Sequence, residues 1–205
     1  MSNYFRYLPF AGFFFVCAIA RAILLSVLPL KALSLMETAQ LVSVLFFAAS
    51  ACGVAVSLSV PMILRKTGLH HCFLMSLFTT AVSVVLLGTE ALWSFAAGMV
   101  LHVFGVTAME VVLSLYIMQR IPRRQLPEFE PLRMVSTIIA LSIGPWLGIY
   151  LQTQVADWLA YLIAVCGTVV TLIYFRWLGL QTESLPERLL RVGNPLRHIL
   201  SLIHI

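Results

Sequence analysis

Six long apolar runs dominate the sequence and constrain its fold more than any other feature. A helix needs about 20 mostly apolar residues to cross a bilayer, and each run is close to that length or longer. The segments between the runs are short, which places consecutive helices antiparallel and side by side. The pattern predicts an all-α polytopic membrane protein with one bundle over 9–178, its helices at 9–30, 39–64, 72–89, 91–118, 132–151 and 155–178.

The composition excludes several other classes of protein. Hydrophobic residues make up 61% and charged residues 10% of the chain, against about 45–50% and about 25% in soluble domains. A soluble enzyme, a disordered chain and a secreted disulfide scaffold are therefore excluded. The four cysteines show no CxxC spacing, so we expect free thiols, no metal and no cofactor.

The positive charges predict an orientation in the membrane. The net charge is +5, but the basic residues stand at the ends of apolar runs, which predicts membrane lipid and not nucleic acid as a partner. We expect the bundle to lie in the inner or plasma membrane of a cell, with residues 1–8 and the linker 179–199 in the cytoplasm. In this orientation one basic residue, Lys31, lies outside. Eleven then lie inside: Arg6, Arg65, Lys66, Arg120, Arg123, Arg124, Arg133, Arg176, Arg188, Arg191 and Arg197.

The last six residues, 200–205, differ in character from the rest of the chain. They read Leu-Ser-Leu-Ile-His-Ile, which resembles the translation of a transposase adaptor used in sequencing libraries. We interpret them as an artefact that replaces a natural C-terminal continuation. The alternative is an ordinary apolar tail.

The connection between the second and third runs is a short basic turn. Arg65 and Lys66 precede Gly68, and glycine can adopt the positive φ that a tight turn between antiparallel helices requires. The segment 61–71 resembles the loop signature of the major facilitator superfamily, with Arg65 where that family has an aspartate. The alternative is a plain cytoplasmic turn without a family role.

The fifth run contains a second signature. Gly144, Pro145 and Gly148 resemble the fifth-helix pattern of the same superfamily. Proline removes a backbone donor and favours a kink, and glycines one turn apart allow a neighbouring helix to approach closely. A dimerisation motif or a generic kink would use the same residues.

The resemblance implies a fold and a function. It implies two inverted three-helix repeats that form the N-terminal half of a major facilitator fold, with the missing C-terminal half as a partner. The implied activity is secondary active transport of a small-molecule substrate by alternating access, coupled to an ion, with the proton as the expected one. It implies that the protein is not an enzyme. One alternative is a six-helix sensor or scaffold module attached to a different C-terminal domain. A less favoured alternative is an integral-membrane enzyme, because the sequence contains no H-x-x-x-H, H-E-x-x-H or paired acidic motif.

Charged residues inside the apolar runs are the candidate functional residues, because a charge in the membrane is costly unless it is paired or hydrated. Arg21 lies about 20 Å into the first run and Glu110 about 12 Å from the inner end of the fourth, at a rise of about 1.5 Å per residue. The resemblance places helices one and four around a central cavity. We therefore expect Arg21 and Glu110 to face it, with Arg21 binding an anionic group and Glu110 carrying a proton. His102 lies on the same broad face as Glu110, and we expect it to line the cavity and assist proton transfer. A static ion pair and a packing histidine are the alternatives.

Three charged residues open the fifth run: Glu128, Glu130 and Arg133. We predict an inner gate in which they bridge to basic residues of the neighbouring loops. A surface cluster screened by solvent is the alternative.

Overall fold

The structure is a computed structural model that describes residues 2–180, with side chains from Tyr7 onward. Within this range the chain is helical and contains no strand, and six helices are long and apolar enough to cross a membrane. This confirms an all-helical, multi-pass membrane protein. The predicted linker beyond residue 180 and the segment 200–205 lie outside the described residues. The helices are α1 (Ser2–Met36), α2 (Ala39–Thr67), α3 (Leu69–Leu87), α4 (Leu92–Arg120), α5 (Leu126–Tyr150), which a π-helical turn (Leu151–Val155) continues, and α6 (Leu159–Trp177).

Several helices extend beyond the apolar runs that predict them. Lys31, predicted to begin a connection, lies inside α1, and α5 begins at Leu126 and not at 132. Hydropathy identifies only the part of a helix that lies in the lipid. The backbone hydrogen bonds of the helix continue beyond that part into its polar ends. At the start of α5, Pro127 occupies the first turn, where a missing N–H costs nothing, and Glu128 favours the positive helix N-terminus.

The helices alternate between two ends of the bundle. Tyr7 near the start of α1 donates a hydrogen bond to Gln125 Oε1 in the loop before α5, at 2.6 Å. This end also holds the α2–α3 turn, and we call it the basic end because of its arginines and lysine: Arg65, Lys66, Arg120, Arg123, Arg124 and Arg176. At the opposite end, Lys31, Gly88 and Asp157 from three different helix ends line one depression.

Helix α1 is the centre of the packing. It packs mainly against α5 and α6, while α4 packs against α3 and α2. Two buried clusters divide the core, one of aromatic residues toward the basic end, in which Phe73 stacks on Phe175 with ring centroids 4.0 Å apart, and one of aliphatic residues around Leu24. Helices α2 and α5 are the least buried of the six.

The turn between α2 and α3 consists of Gly68 alone. Its backbone has φ +80° and ψ 165°, a region that residues other than glycine rarely adopt. The Gly68 N–H donates to the Leu64 carbonyl oxygen at 2.9 Å, and the Gly68 carbonyl accepts from the Cys72 N–H at 3.1 Å. The turn therefore closes α2 and opens α3 without a loop.

Replacing Gly68 by alanine is expected to destabilise the bundle by about 1–3 kcal/mol, because a side chain is strained at this φ and ψ. No atom lies within 4 Å of a Cβ built at Gly68, so the backbone alone causes the loss. Thermal unfolding in detergent micelles measures it. Gly88→Ala is the matched control, since Gly88 has helical φ −72° and ψ −13°; an equal loss in both variants would contradict the explanation.

Candidate functional site

Arg21 and Glu110 form an ion pair between α1 and α4. The Arg21 guanidinium donates through Nη1 to Glu110 Oε1, and its Nε donates to the Cys17 carbonyl oxygen at 3.3 Å. The side chains are 23% and 58% exposed, although both residues lie well inside apolar helices. The structure therefore brings together the two charges that the sequence places at similar depth, on an open face of the bundle.

His102 faces a different neighbour. Its Nδ1 lies 3.1 Å from Ser83 Oγ on α3, and the Ser83 hydroxyl donates to the Thr80 carbonyl oxygen at 2.6 Å. Because a hydroxyl has one hydrogen to donate, Ser83 accepts from His102, which assigns the proton of a neutral ring to Nδ1. His102 and Arg21 line a small cavity of about 10 Å³, which has room for about one water molecule.

Glu110 does not line that cavity. It lines a second one of about 160 Å³, which we call the α1–α4–α5 recess, and whose lining residues include Phe14, Arg21, Glu110, Ser114, Arg133 and Thr137. His102 and Glu110 thus line different cavities, and Arg21 lines both.

Arg133 lies in this recess and not in a bridge to the loops. Its guanidinium carbon lies 5.5 Å from the centre of the Phe14 ring, within the range of a cation–π contact. Its Nε lies 3.1 Å from both carboxylate oxygens of Glu130, one turn earlier on α5. Glu130 thus pairs with Arg133 on its own helix, and the bridge to the loops stays a prediction. Glu128 is exposed in the first turn of α5.

The fifth-helix signature packs against α1. A Cβ built on Gly144 would lie 2.8 Å from the Ala22 carbonyl carbon, and one on Gly148 would lie 3.0 Å from the Ile23 carbonyl carbon. These glycines therefore set the distance between α1 and α5. Pro145 lies between them, half-buried, within the continuous helix α5.

The sequence carries a signal for Arg133 that the apolar pattern hides. Arg133, Thr137, Ala140, Gly144 and Gly148 are spaced by four, three, four and four residues, which is the repeat of one helix face. Because the two glycines contact α1, the same face brings Arg133 to α1 at the basic end. Extending the glycine signature backward along α5 would have placed Arg133 beside Phe14.

The loop residues Arg65 and Lys66 are exposed in the last turn of α2. Positive charges at this position interact favourably with the negative C-terminal end of a helix. Within the described residues, no cluster of histidine, cysteine, aspartate or glutamate could hold a metal ion. Arg65 and Lys66 are not among the residues that line the recess, so the basic turn and the recess are separate features.

No family model, curated protein or solved structure matches the chain. The likeness to the major facilitator superfamily consequently depends on the two signatures and the helix order. The geometry of the recess is independent of that likeness.

Proposed function

We propose that this chain is the N-terminal half of a secondary active transporter of the major facilitator type, which moves a small molecule by alternating access and couples the movement to protons. The observation that carries the proposal is the ion pair between Arg21 and Glu110. A carboxylate 58% exposed within a transmembrane helix is costly against lipid. A water-filled passage next to α1, α4 and α5 removes that cost.

The packing of the helices supports a repeat of three. If the first three helices correspond to the last three, α1, α2 and α3 exchange with α4, α5 and α6. This exchange converts the α1–α5 contact into α4–α2 and the α3–α4 contact into α6–α1, and it leaves the α3–α6 contact unchanged. Because consecutive helices are antiparallel, each helix and its counterpart run in opposite directions. This is the relation expected of inverted repeats, which secondary transporters commonly use.

The uncovered helices support a missing partner. Helices α2 and α5 are the least buried, and the surface of α2 presents small residues such as Ser50, Ala51, Ala55 and Ser57. Small residues in membrane helices favour contact with another helix. A second six-helix half would cover these faces and close the passage, with the basic end in the cytoplasm of the cell.

In this mechanism the two charges have complementary roles. Glu110 takes up the coupling proton and thereby weakens its ion pair with Arg21. The freed guanidinium then contacts the substrate. His102, which contacts Ser83 and lines a cavity with Arg21, limits the positions that the guanidinium can reach.

The first experiment is to sequence the gene that encodes this chain. We expect the reading frame that continues residue 199 to encode six more apolar helices, whereas a soluble catalytic or signalling domain would contradict the proposal. In liposomes the complete protein is expected to catalyse proton-driven flux, and residues 1–199 alone are not, because half of the passage wall is absent.

Arg21→Ala and Glu110→Gln in the complete protein are each expected to lower flux by about tenfold. Residues in direct contact show coupling energies of about 0.5–3 kcal/mol, and about 1.4 kcal/mol is tenfold. The substrate found in a screen of small organic molecules serves for the measurement. Ser142→Ala, on the exposed surface of α5, is the control, and unchanged flux in both charge variants would refute the role of the pair.

A further inference from the structure

The α1–α4–α5 recess contains two guanidinium groups. Arg21 enters it from α1 and Arg133 from α5, and Glu110 is the carboxylate between them on α4. Glu130, the partner of Arg133, does not line the recess. The charged groups that line the recess sum to one net positive charge, and Glu130 lies beside it, in a cavity that Ser114 and Arg133 also line.

The two guanidinium groups lie at similar heights along α1. Arg21 extends back by one turn, since its Nε donates to the Cys17 carbonyl oxygen. Arg133 lies against the Phe14 ring, and Phe14 precedes Cys17 by three residues, which is about 4.5 Å along the helix axis. The two cations are thus close enough to contact one small ligand together.

Both guanidinium groups have donors to spare. Each has five N–H groups. Among the described residues, Arg21 uses two of them, toward Cys17 and Glu110, and Arg133 uses two toward Glu130. Three donors remain on each group, and the fork of a guanidinium matches the two oxygens of a carboxylate.

The rest of the lining defines the other half of a ligand. Phe14, Met109 and Leu113 supply an apolar surface, while Ser114 and Thr137 supply hydroxyl groups. A volume of about 160 Å³ is small compared with the about 300–1,000 Å³ of sites for drug-sized ligands. The chemistry fits a small organic anion of single charge with an apolar part.

We propose that Arg133 acts with Arg21 as a second cationic contact, and that the α1–α4–α5 recess binds a small organic monoanion. This assignment rests on the proposed function in naming its substrate class, but binding to the recess does not require transport. It changes the predicted role of Arg133 from an inner gate to a ligand contact. The third lining charge, Glu110, holds Arg21 until Glu110 takes up a proton and the anion takes its place.

A thiol placed in the recess tests the proposal on the chain itself. Ser114→Cys is nearly isosteric, and Ser114 lies between Arg133 and the Arg21–Glu110 pair. Cys52 and Cys166, the less buried native cysteines, are replaced by serine. The rate of labelling is measured in nanodiscs of zwitterionic lipid with an anionic probe, 2-sulfonatoethyl methanethiosulfonate, and a cationic probe, 2-(trimethylammonium)ethyl methanethiosulfonate.

The ratio of anionic to cationic labelling rates is the readout. Relative to Thr153→Cys, an exposed site outside the recess, we expect this ratio to be severalfold higher at Ser114→Cys, because the spare N–H donors of Arg21 and Arg133 attract the sulfonate of the anionic probe. Benzoate is expected to slow labelling at Ser114→Cys and not at Thr153→Cys. The background variant without an introduced thiol gives the baseline.

A second substitution separates the role of Arg133 from folding. Arg133→Gln is expected to abolish most of the anionic preference and the protection by benzoate, and Arg133→Lys to retain part of both, while labelling of Thr153→Cys is unchanged in either variant. A ratio at Ser114→Cys equal to that at Thr153→Cys, or a preference that survives Arg133→Gln, overturns the proposal. Anion preference in a parent that transports nothing would instead refute the proposed function alone.

Discussion

Replacing Gly148 by alanine and then by valine is expected to destabilise the bundle stepwise, by about 1–3 kcal/mol for alanine and by more for valine. A Cβ at this position meets the backbone of Ile23, 3.0 Å from its carbonyl carbon and closer still to its oxygen. A backbone atom cannot rotate away as a side chain can, so α1 and α5 must separate. The free energy of unfolding, measured by titration with a denaturing detergent, reports the loss.

Ser142 offers the matched control on the same helix. It is exposed on α5, and Ser142→Ala and Ser142→Val are expected to change the free energy of unfolding by about 0.5 kcal/mol or less. The step from alanine to valine is the same at both positions, so the lower helix propensity of valine cancels when that step is compared. Similar losses at the two positions would show that the α1–α5 contact is not tight.

Reversing one charge of the ion pair is expected to destabilise the bundle, and reversing both to restore it. Arg21→Glu places two carboxylates together, and Glu110→Arg places two guanidinium groups together. Residues in direct contact show coupling energies of about 0.5–3 kcal/mol, and partial exposure of the pair favours the lower half of that range. The double variant regains an ion pair and with it most of the stability.

Flux through the complete protein distinguishes a transport role from a packing role. The double variant is expected to be as stable as the natural pair but to transport at the reduced rate of Arg21→Ala, because the guanidinium then stands on α4 and no longer beside Cys17 and His102. Full recovery of both stability and flux would mean that the pair only fixes the helices.

The sequence predicted the number and class of the helices because lipid imposes one requirement on every span. A stretch of about 20 apolar residues is visible without any knowledge of neighbours. The same property hides the helix ends: Lys31 and Glu128 are polar, yet they lie within helices. The turn at Gly68 was predictable because glycine can adopt the positive φ of a tight turn, but the sequence did not show that one residue alone separates α2 from α3.

The Arg21–Glu110 contact was predictable from depth, whereas the position of Arg133 was not. Depth follows from counting residues at about 1.5 Å each. The direction in which Arg133 extends depends on the rotation of α5 about its axis, and the contacts of Gly144 and Gly148 with α1 set this rotation. That information is tertiary, and only the spacing along α5 preserves a trace of it.

The single-residue connection at Gly68 also affects how the chain is made. With one residue between them, α2 and α3 cannot be oriented independently in the membrane. Arg65 and Lys66 stand at the tip of this hairpin, where positive charges favour the cytoplasmic side. We therefore expect α2 and α3 to insert as one unit, in which α2, of mean hydropathy 2.3 against 1.7 for α3, assists the entry of α3.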